Sequence, residues 1–192
     1  SRRHYVKRMP GDTYHQQHRG GKGVRGMATR EEDVVEHFLI TDTHDNLLFF
    51  TNLGKVYSLR CYDIPNDTSR TTRGLPLVNL INLGQQERVQ TIVAVGPHDT
   101  HGNLVFGTRK GEVKRMPLAH LSNIRSNGLI AMNLKAGDEL VSAGWGTDDE
   151  QVLLVSAQGQ AIRFPVGILP VRSRTAGSVK GLRLKPGDTV IG

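Results

Sequence analysis

The sequence of 192 residues predicts an all-β chain made of repeated, propeller-like blades. Three observations carry that expectation. Glycine is abundant at 22 residues while aromatic residues make up only 5 %, a balance that suits many short strands joined by tight turns. Apolar runs that end in a turn glycine recur three times and align without a gap. Each run is followed in the same order by a charged second strand, a basic glycine-bearing loop, an apolar third strand and an acidic turn with a fourth strand.

The first unit (1–45) opens on a second strand: Val6-Lys7-Arg8-Met9-Pro10 is identical to the pentapeptide at 113–117. It lacks the apolar first strand, its basic loop is 19–26, and Glu32-Asp33-Val34-Val35 opens its closing strand. The second unit (46–102) has an apolar run ending at Gly54, a partner at 55–60, a loop holding Arg70, Arg73 and Gly74, a third strand at 77–81 and an acidic turn at Glu87. The third (103–150) repeats this with Gly111, 112–117, Arg125 and Gly128, 130–134, and Asp138-Glu139. The fourth (151–192) does so with Gly159, 160–165, Arg172, Arg174 and Gly177, 179–184, and Asp188. Apolar runs around a glycine, facing a strand that alternates apolar with charged residues, read as β-hairpins. The first strands start 57 and 48 residues apart, a pitch that suits four-stranded blades. A unit of this size cannot cover both faces of its sheet, so neighbours must stack face to face. With its first unit incomplete and its last stopping at Gly192, the array is expected to be open or truncated, with exposed edges.

The charge is segregated. Residues 1–30 hold eight Lys/Arg against the single acid Asp12, which equals the net charge of +7 of the whole chain. A positive charge concentrated around a glycine-rich loop points to a phosphate-rich polyanion as partner. The lone Cys61 excludes a disulfide framework, fits a reducing cytosol and reads as a strand residue. No apolar run approaches the length of a membrane span, so no membrane partner is expected. No nucleophile elbow, zinc-type cysteine spacing or Ser/His/Asp arrangement is visible, and the carboxylates fall mostly in turns. His98-Asp99-Thr100-His101 reads as a polar turn, and Tyr5, Tyr14, Tyr57 and Tyr62 sit in strand- or loop-like contexts.

The sharpest motif is Gln17-His18-Arg19-Gly20-Gly21-Lys22-Gly23. Three glycines permit positive φ and close approach of backbone N–H groups to phosphate oxygens. Arg19 can fork onto a phosphate, Lys22 adds a point charge, and Gln17 can donate or hold the loop in shape. None of these groups reads base edges, so little sequence preference is expected. A Walker P-loop is excluded, because Gly23 rather than Ser or Thr follows Lys22. Further bases repeat at corresponding places: Lys7, Arg8, Arg60, Lys114, Arg115 and Arg163 on second strands, and Arg70, Arg73, Arg125, Arg172 and Arg174 on loops. If the strand residues face outward, they form a continuous track for the backbone of a polyanion.

On these residues the chain resembles the C-terminal domain of DNA gyrase A along its whole length. The motif at 17–23 matches that family's box, Gln-Arg-Arg-Gly-Gly-Lys-Gly, at six of seven positions, with His18 in place of an arginine. Tyr5-Val6-Lys7-Arg8, Glu31-Glu32-Asp33, Thr43-His44-Asp45, Gly54-Lys55-Val56-Tyr57, Tyr62-Asp63-Ile64-Pro65 and Asp138-Glu139-Leu140-Val141 also resemble the family. Arg3-His4 stands where the family has a glycine turn. The resemblance implies a β-pinwheel of four-stranded antiparallel blades, with duplex DNA wrapped at positive handedness around a basic rim. It implies no cofactor in this domain, ATP and Mg being used elsewhere in the parent enzyme. It implies the remainder of gyrase A and, through it, gyrase B as partners, a bacterial cytoplasmic setting at the nucleoid, and no catalysis by this domain on its own. Two alternatives stand beside it: the corresponding DNA-bending C-terminal domain of topoisomerase IV, and a propeller used for protein–protein recognition.

Overall fold

A computed structural model describes residues 1–13, 19, 26–29 and 32–192. Its strands are β1 (Tyr5–Val6), β2 (Asn46–Thr51), β3 (Lys55–Arg60), β4 (Leu75–Pro76), β5 (Val89–Val95), β6 (Asn103–Thr108), β7 (Glu112–Pro117), β8 (Leu129–Ile130), β9 (Leu140–Gly146), β10 (Gln151–Val155), β11 (Ala161–Pro165) and β12 (Val179–Lys180). All strand pairs are antiparallel, and the sheets run β5-β2-β3-β8, β12-β7-β6-β9, β1-β4 and β10-β11. The chain is all-β, and no sheet among the described residues closes on itself.

The hairpins β2–β3, β6–β7 and β10–β11 lie where the repeats predict them. Each turn glycine has φ near +80°: Gly54 at 73°, Gly111 at 79° and Gly159 at 82°. In the first unit His4 takes this place with φ 58°, so residues 1–4 form a fourth copy of the turn without its glycine.

The third strands differ from expectation in length and partner. Strand β8 belongs by sequence to the third unit but pairs with β3 of the second. Likewise β12 of the fourth unit pairs with β7 of the third, and β4 of the second with β1 of the first. The second, third and fourth units thus each lend a two-residue strand to the unit before. The residues beyond do not continue as strands: Leu77–Asn79 is a 3-10 turn, and residues 131–134 carry no strand. The loan is fixed at the hairpin turn. The Gly54 carbonyl accepts from the N–H groups of Ala131 and Met132 at 2.9 and 3.1 Å, that of Gly111 from Gly181 and Leu182 at 2.8 and 3.0 Å, and that of His4 from Leu77 at 2.7 Å.

Period-2 alternation buries both faces of the central strands. On β2, Leu48 and Phe50 pack with Leu104, Phe106, Met116 and Leu140 of the next unit. Phe50 and Phe106 meet edge to face at 5.5 Å between ring centres. Leu47 and Phe49 on the opposite face pack with Tyr57, Ile64, Leu77 and Val89. A third cluster joins Val113 to Leu154, Leu169, Leu182 and Val190. In the first unit, residues 33–42 are not a strand, and Phe38 and Ile40 are exposed beside an apolar cavity of about 550 Å³ floored by Leu47, Phe49 and Leu77. No helix among the described residues is long and apolar enough to cross a membrane.

Candidate nucleic-acid interface

Within the box, Arg19 is an exposed turn residue, while Gln17, His18, Gly20, Gly21, Lys22 and Gly23 lie outside the described residues. The interface is therefore built here from the second strands and the loops after them.

The second-strand bases divide into two groups. Arg60 and Arg163 are exposed, and Arg60 donates to the His44 carbonyl at 3.1 Å. Lys114 and Arg115 are buried, at 1 % and 7 % exposure, which corrects the expectation of an outward track on every second strand. The cause is the borrowed strand: β12 and the loop before it lie over β7, and five of its six residues are buried. Lys7 is likewise enclosed, with a side chain only 4 % exposed, and Arg8 is half-buried.

These enclosed bases hold the loops of the following unit, in one register at two junctions. In the first, Arg8 bridges to Asn66 and its carbonyl accepts from the Asp67 N–H at 2.9 Å. Lys7 Nζ donates to the carbonyls of Ser69 and Thr72 and lies 3.9 Å from Asp67. In the second, Arg115 bridges to Val171 and its carbonyl accepts from the Arg172 N–H at 2.9 Å. Lys114 Nζ donates to the Arg174 carbonyl at 2.6 Å. Ser69 and Arg174, two residues beyond Asp67 and Arg172, are corresponding positions. In the second unit Tyr57 replaces the lysine, and its hydroxyl turns back to Glu87 at 2.5 Å. Burial beside that carboxylate pushes the phenol well above its usual range.

On the loops, Arg70 and Arg125 are exposed and Arg73, Arg172 and Arg174 half-buried. Arg73 stacks over the Tyr5 ring at 4.9 Å and donates to its hydroxyl at 3.1 Å, leaving donors on its guanidinium. Arg174 donates to the Ile130 carbonyl at 2.9 Å. Arg115 pairs with Asp148. Burial, reinforced by Arg174 and Arg172, brings the Lys114 ammonium down to about 8.

The acids, expected simply to lie in turns, obey a stricter rule. Asp33, Glu87, Asp138 and Asp188 are buried. They accept hydroxyl hydrogen bonds from Ser1, Thr51, Thr108 and Ser156 at 2.8, 3.1, 2.7 and 2.6 Å. A hydroxyl residue three positions before each turn residue was the available signal. The buried Glu112 binds Lys180 and Lys135 at 2.6 and 3.0 Å, with Ser178 donating at 2.9 Å. Burial opposes its ionisation, but those partners outweigh it and hold the carboxyl at about 2. These five carboxylates are thus committed to turns and internal pairs.

Comparison with known proteins gives one consistent pattern. The family of the DNA gyrase C-terminal domain, beta-propeller, matches over residues 3–42, 45–95, 102–144 and 150–192. DNA gyrase A of Dehalogenimonas lykanthroporepellens is 40 % identical over 190 residues, covering 99 % of this chain and 23 % of that protein. That of Staphylococcus epidermidis is 43 % identical over 193 residues, covering 100 % and 22 %. The chain thus spans less than a quarter of the length of these relatives. Among solved structures, the C-terminal domain of DNA topoisomerase IV superposes with a TM-score of 0.81 at 26 % identity, covering 100 % of this chain and 58 % of that one. A DNA gyrase A C-terminal domain gives 0.76 at 28 % identity, covering 99 % and 61 %.

Proposed function

Because the chain belongs to the family of the DNA gyrase C-terminal domain, we propose that it binds duplex DNA with little sequence preference and wraps it along its basic loops, so that the parent topoisomerase introduces negative supercoils. The observation that carries this reading is the repeated anchoring of a basic loop on the preceding unit, through Arg8 and Lys7 at one junction and Arg115 and Lys114 at another. Loops held in one register offer phosphates a periodic row of contacts instead of scattered surface charge. Such contacts position a duplex without reading its bases.

Magnitudes favour a repeated array over a single loop. Bending 20–30 base pairs by 40–90° costs on the order of 1–6 kcal/mol. Each neutralised phosphate adds about 0.9 to the slope of log K against log salt, so about 8–10 contacts offset such a bend where one loop does not. The box at 17–23 supplies Arg19 and Lys22 in this scheme, with the loops at 70–73, 125 and 172–174 continuing the path. The domain itself does no chemistry in this reading. ATP and Mg act elsewhere in the parent enzyme, the partners are the remainder of gyrase A and, through it, gyrase B, and the setting is the bacterial cytoplasm.

The test is to seal nicked circular DNA in the presence of the chain, remove the protein and read the linking number. A positive shift is expected from right-handed wrapping. A second reading, a topoisomerase IV-type domain that bends DNA without chiral wrapping, is favoured by the higher TM-score of 0.81. Tight binding with no shift supports it, and absence of binding sinks both.

A further inference from the structure

The two anchored junctions share geometry and differ in charge. At the first, enclosed Lys7 has a counter-ion: Asp67 lies 3.9 Å away on the loop it holds. At the second, the position of Asp67 is taken by Arg172. Lys114, more deeply buried, therefore faces Arg172 and Arg174 with no acid of its own among the described residues. The acids nearby are engaged elsewhere, Glu112 with Lys180 and Lys135, and Asp148 with Arg115. The Nε of Arg172 is buried and has no hydrogen-bond partner. Three cations brought together with no acid paired to Lys114 among the described residues form an arrangement that an added anion stabilises.

The loop that carries the two arginines is fixed at several points. The Arg172 N–H is held by the Arg115 carbonyl at 2.9 Å and the Arg174 N–H by His120 Nδ1 at 3.2 Å. The Thr175 carbonyl accepts from Asn133 at 3.1 Å, and the Ser178 hydroxyl donates to Glu112 at 2.9 Å. Lys114 Nζ holds the Arg174 carbonyl from beneath. A loop prepared in this way loses little conformational freedom when it takes a ligand.

We infer that the loop between β11 and β12 is a dedicated seat for a DNA backbone phosphate, in which Arg172 and Arg174 contact the phosphate and buried Lys114 is the positioning residue that holds the loop beneath them. The seat is specific to this junction, since Asp67 neutralises the corresponding place and Tyr57 and Ile162 occupy the lysine position in the other units. The inference rests on the DNA-binding reading above.

The test measures affinity of the chain for linear duplex DNA across a salt series, for wild type, Lys114→Met, Arg172→Gln with Arg174→Gln, and all three together. Removing both arginines is expected to lower the salt slope by about 0.9, the loss of the one seated phosphate. Lys114→Met lowers it by a similar amount, and the triple variant goes no further. A second variant, Arg172→Asp, copies the first junction; it is expected to lower the slope while raising the melting temperature by giving Lys114 a counter-ion. If wild type binds DNA and the double arginine variant keeps its slope, there is no seat. If the Lys114 and arginine effects add, Lys114 contacts DNA itself and the positioning role is wrong. If wild type does not bind duplex DNA at all, the DNA reading falls and takes the seat with it.

Discussion

Ser1 Oγ donates to a carboxylate oxygen of Asp33 at 2.8 Å across 32 residues of sequence. That bond ties the residue opening a hairpin turn to the residue opening the segment that closes the unit, and it recurs at Thr51–Glu87, Thr108–Asp138 and Ser156–Asp188. At three of these places the same carboxylate also accepts a backbone N–H two residues after the hydroxyl: Arg3 at 3.0 Å, Lys110 at 2.9 Å and Gln158 at 3.0 Å. The repeat is thus defined by a polar latch as much as by its apolar strands. It also removes four carboxylates from the surface on which the arginines stand.

Thr108→Val tests the latch directly. The substitution keeps the shape of the side chain but removes the donor to the buried Asp138, and it strips the Glu112 N–H of its acceptor at 3.1 Å. The expected loss is about 1–3 kcal/mol, since a buried polar group is left unsatisfied. Urea unfolding with an unchanged m-value measures it. A loss within error of zero means that the carboxylate is served by its backbone donors alone.

Two turn glycines separate backbone strain from the strand loan. Gly159 has φ 82° with nothing near a built Cβ, so Gly159→Ala costs only the left-handed penalty of about 1–2 kcal/mol. At Gly111, with φ 79°, a Cβ lies 2.3 Å from the Leu182 carbonyl, so alanine there also pushes away the strand borrowed from the fourth unit. Gly111→Ala is expected to cost at least about 1 kcal/mol more than Gly159→Ala, because two hydrogen bonds to its carbonyl are strained as well. Equal costs in parallel melts disprove the coupling.

Two buried charges on β7 make stability rise with pH at the two ends of the pH range. The Glu112 carboxyl is depressed to about 2, so its contribution is complete above the unfolded value of about 4.3 and is lost as pH falls through the folded value. Glu112→Gln therefore flattens the fall in melting temperature between about pH 4.5 and 2. Lys114 is also depressed, to about 8, but as a cation. The unfolded chain binds more protons between about pH 8 and 10.4, so this group makes stability rise with pH across that window. Lys114→Met should abolish that rise, and a variant that keeps it places the titration on another residue.

The parts legible in the sequence were those with strong local signals. Runs such as 46–51 and 103–108, each with a glycine three residues on, identify the hairpins, and their apolar character on both faces demands stacking. The partners and the shortness of the borrowed strands were not legible, because pairs such as Leu129–Ile130 carry no periodicity and their pairing is decided by a glycine carbonyl in the unit before. The same loan hid the fate of Lys114 and Arg115. Their alternation with apolar residues reads as a half-exposed strand, yet a loop more than 50 residues later covers them. Asp67 and Arg172 take opposite charges at one place in the repeat, a contrast visible only when the loops are aligned through their anchors.

The box gives the last prediction, and it separates wrapping from binding. Arg19 is exposed, and Lys22 stands three residues on in the sequence. Changing both to alanine removes about two phosphate contacts, lowering the salt slope by about 1.8. The exposed Arg60, Arg70, Arg125 and Arg163 remain to hold a duplex. Chiral wrapping requires the path to continue around the array, so it depends on its ends more than affinity does. The double variant is therefore expected to lose the linking-number shift in the nick-sealing assay while still retarding linear DNA at low salt. If it shifts linking number like wild type, the box does not direct the wrap, and the loops after β3 and β11 become the segments to change.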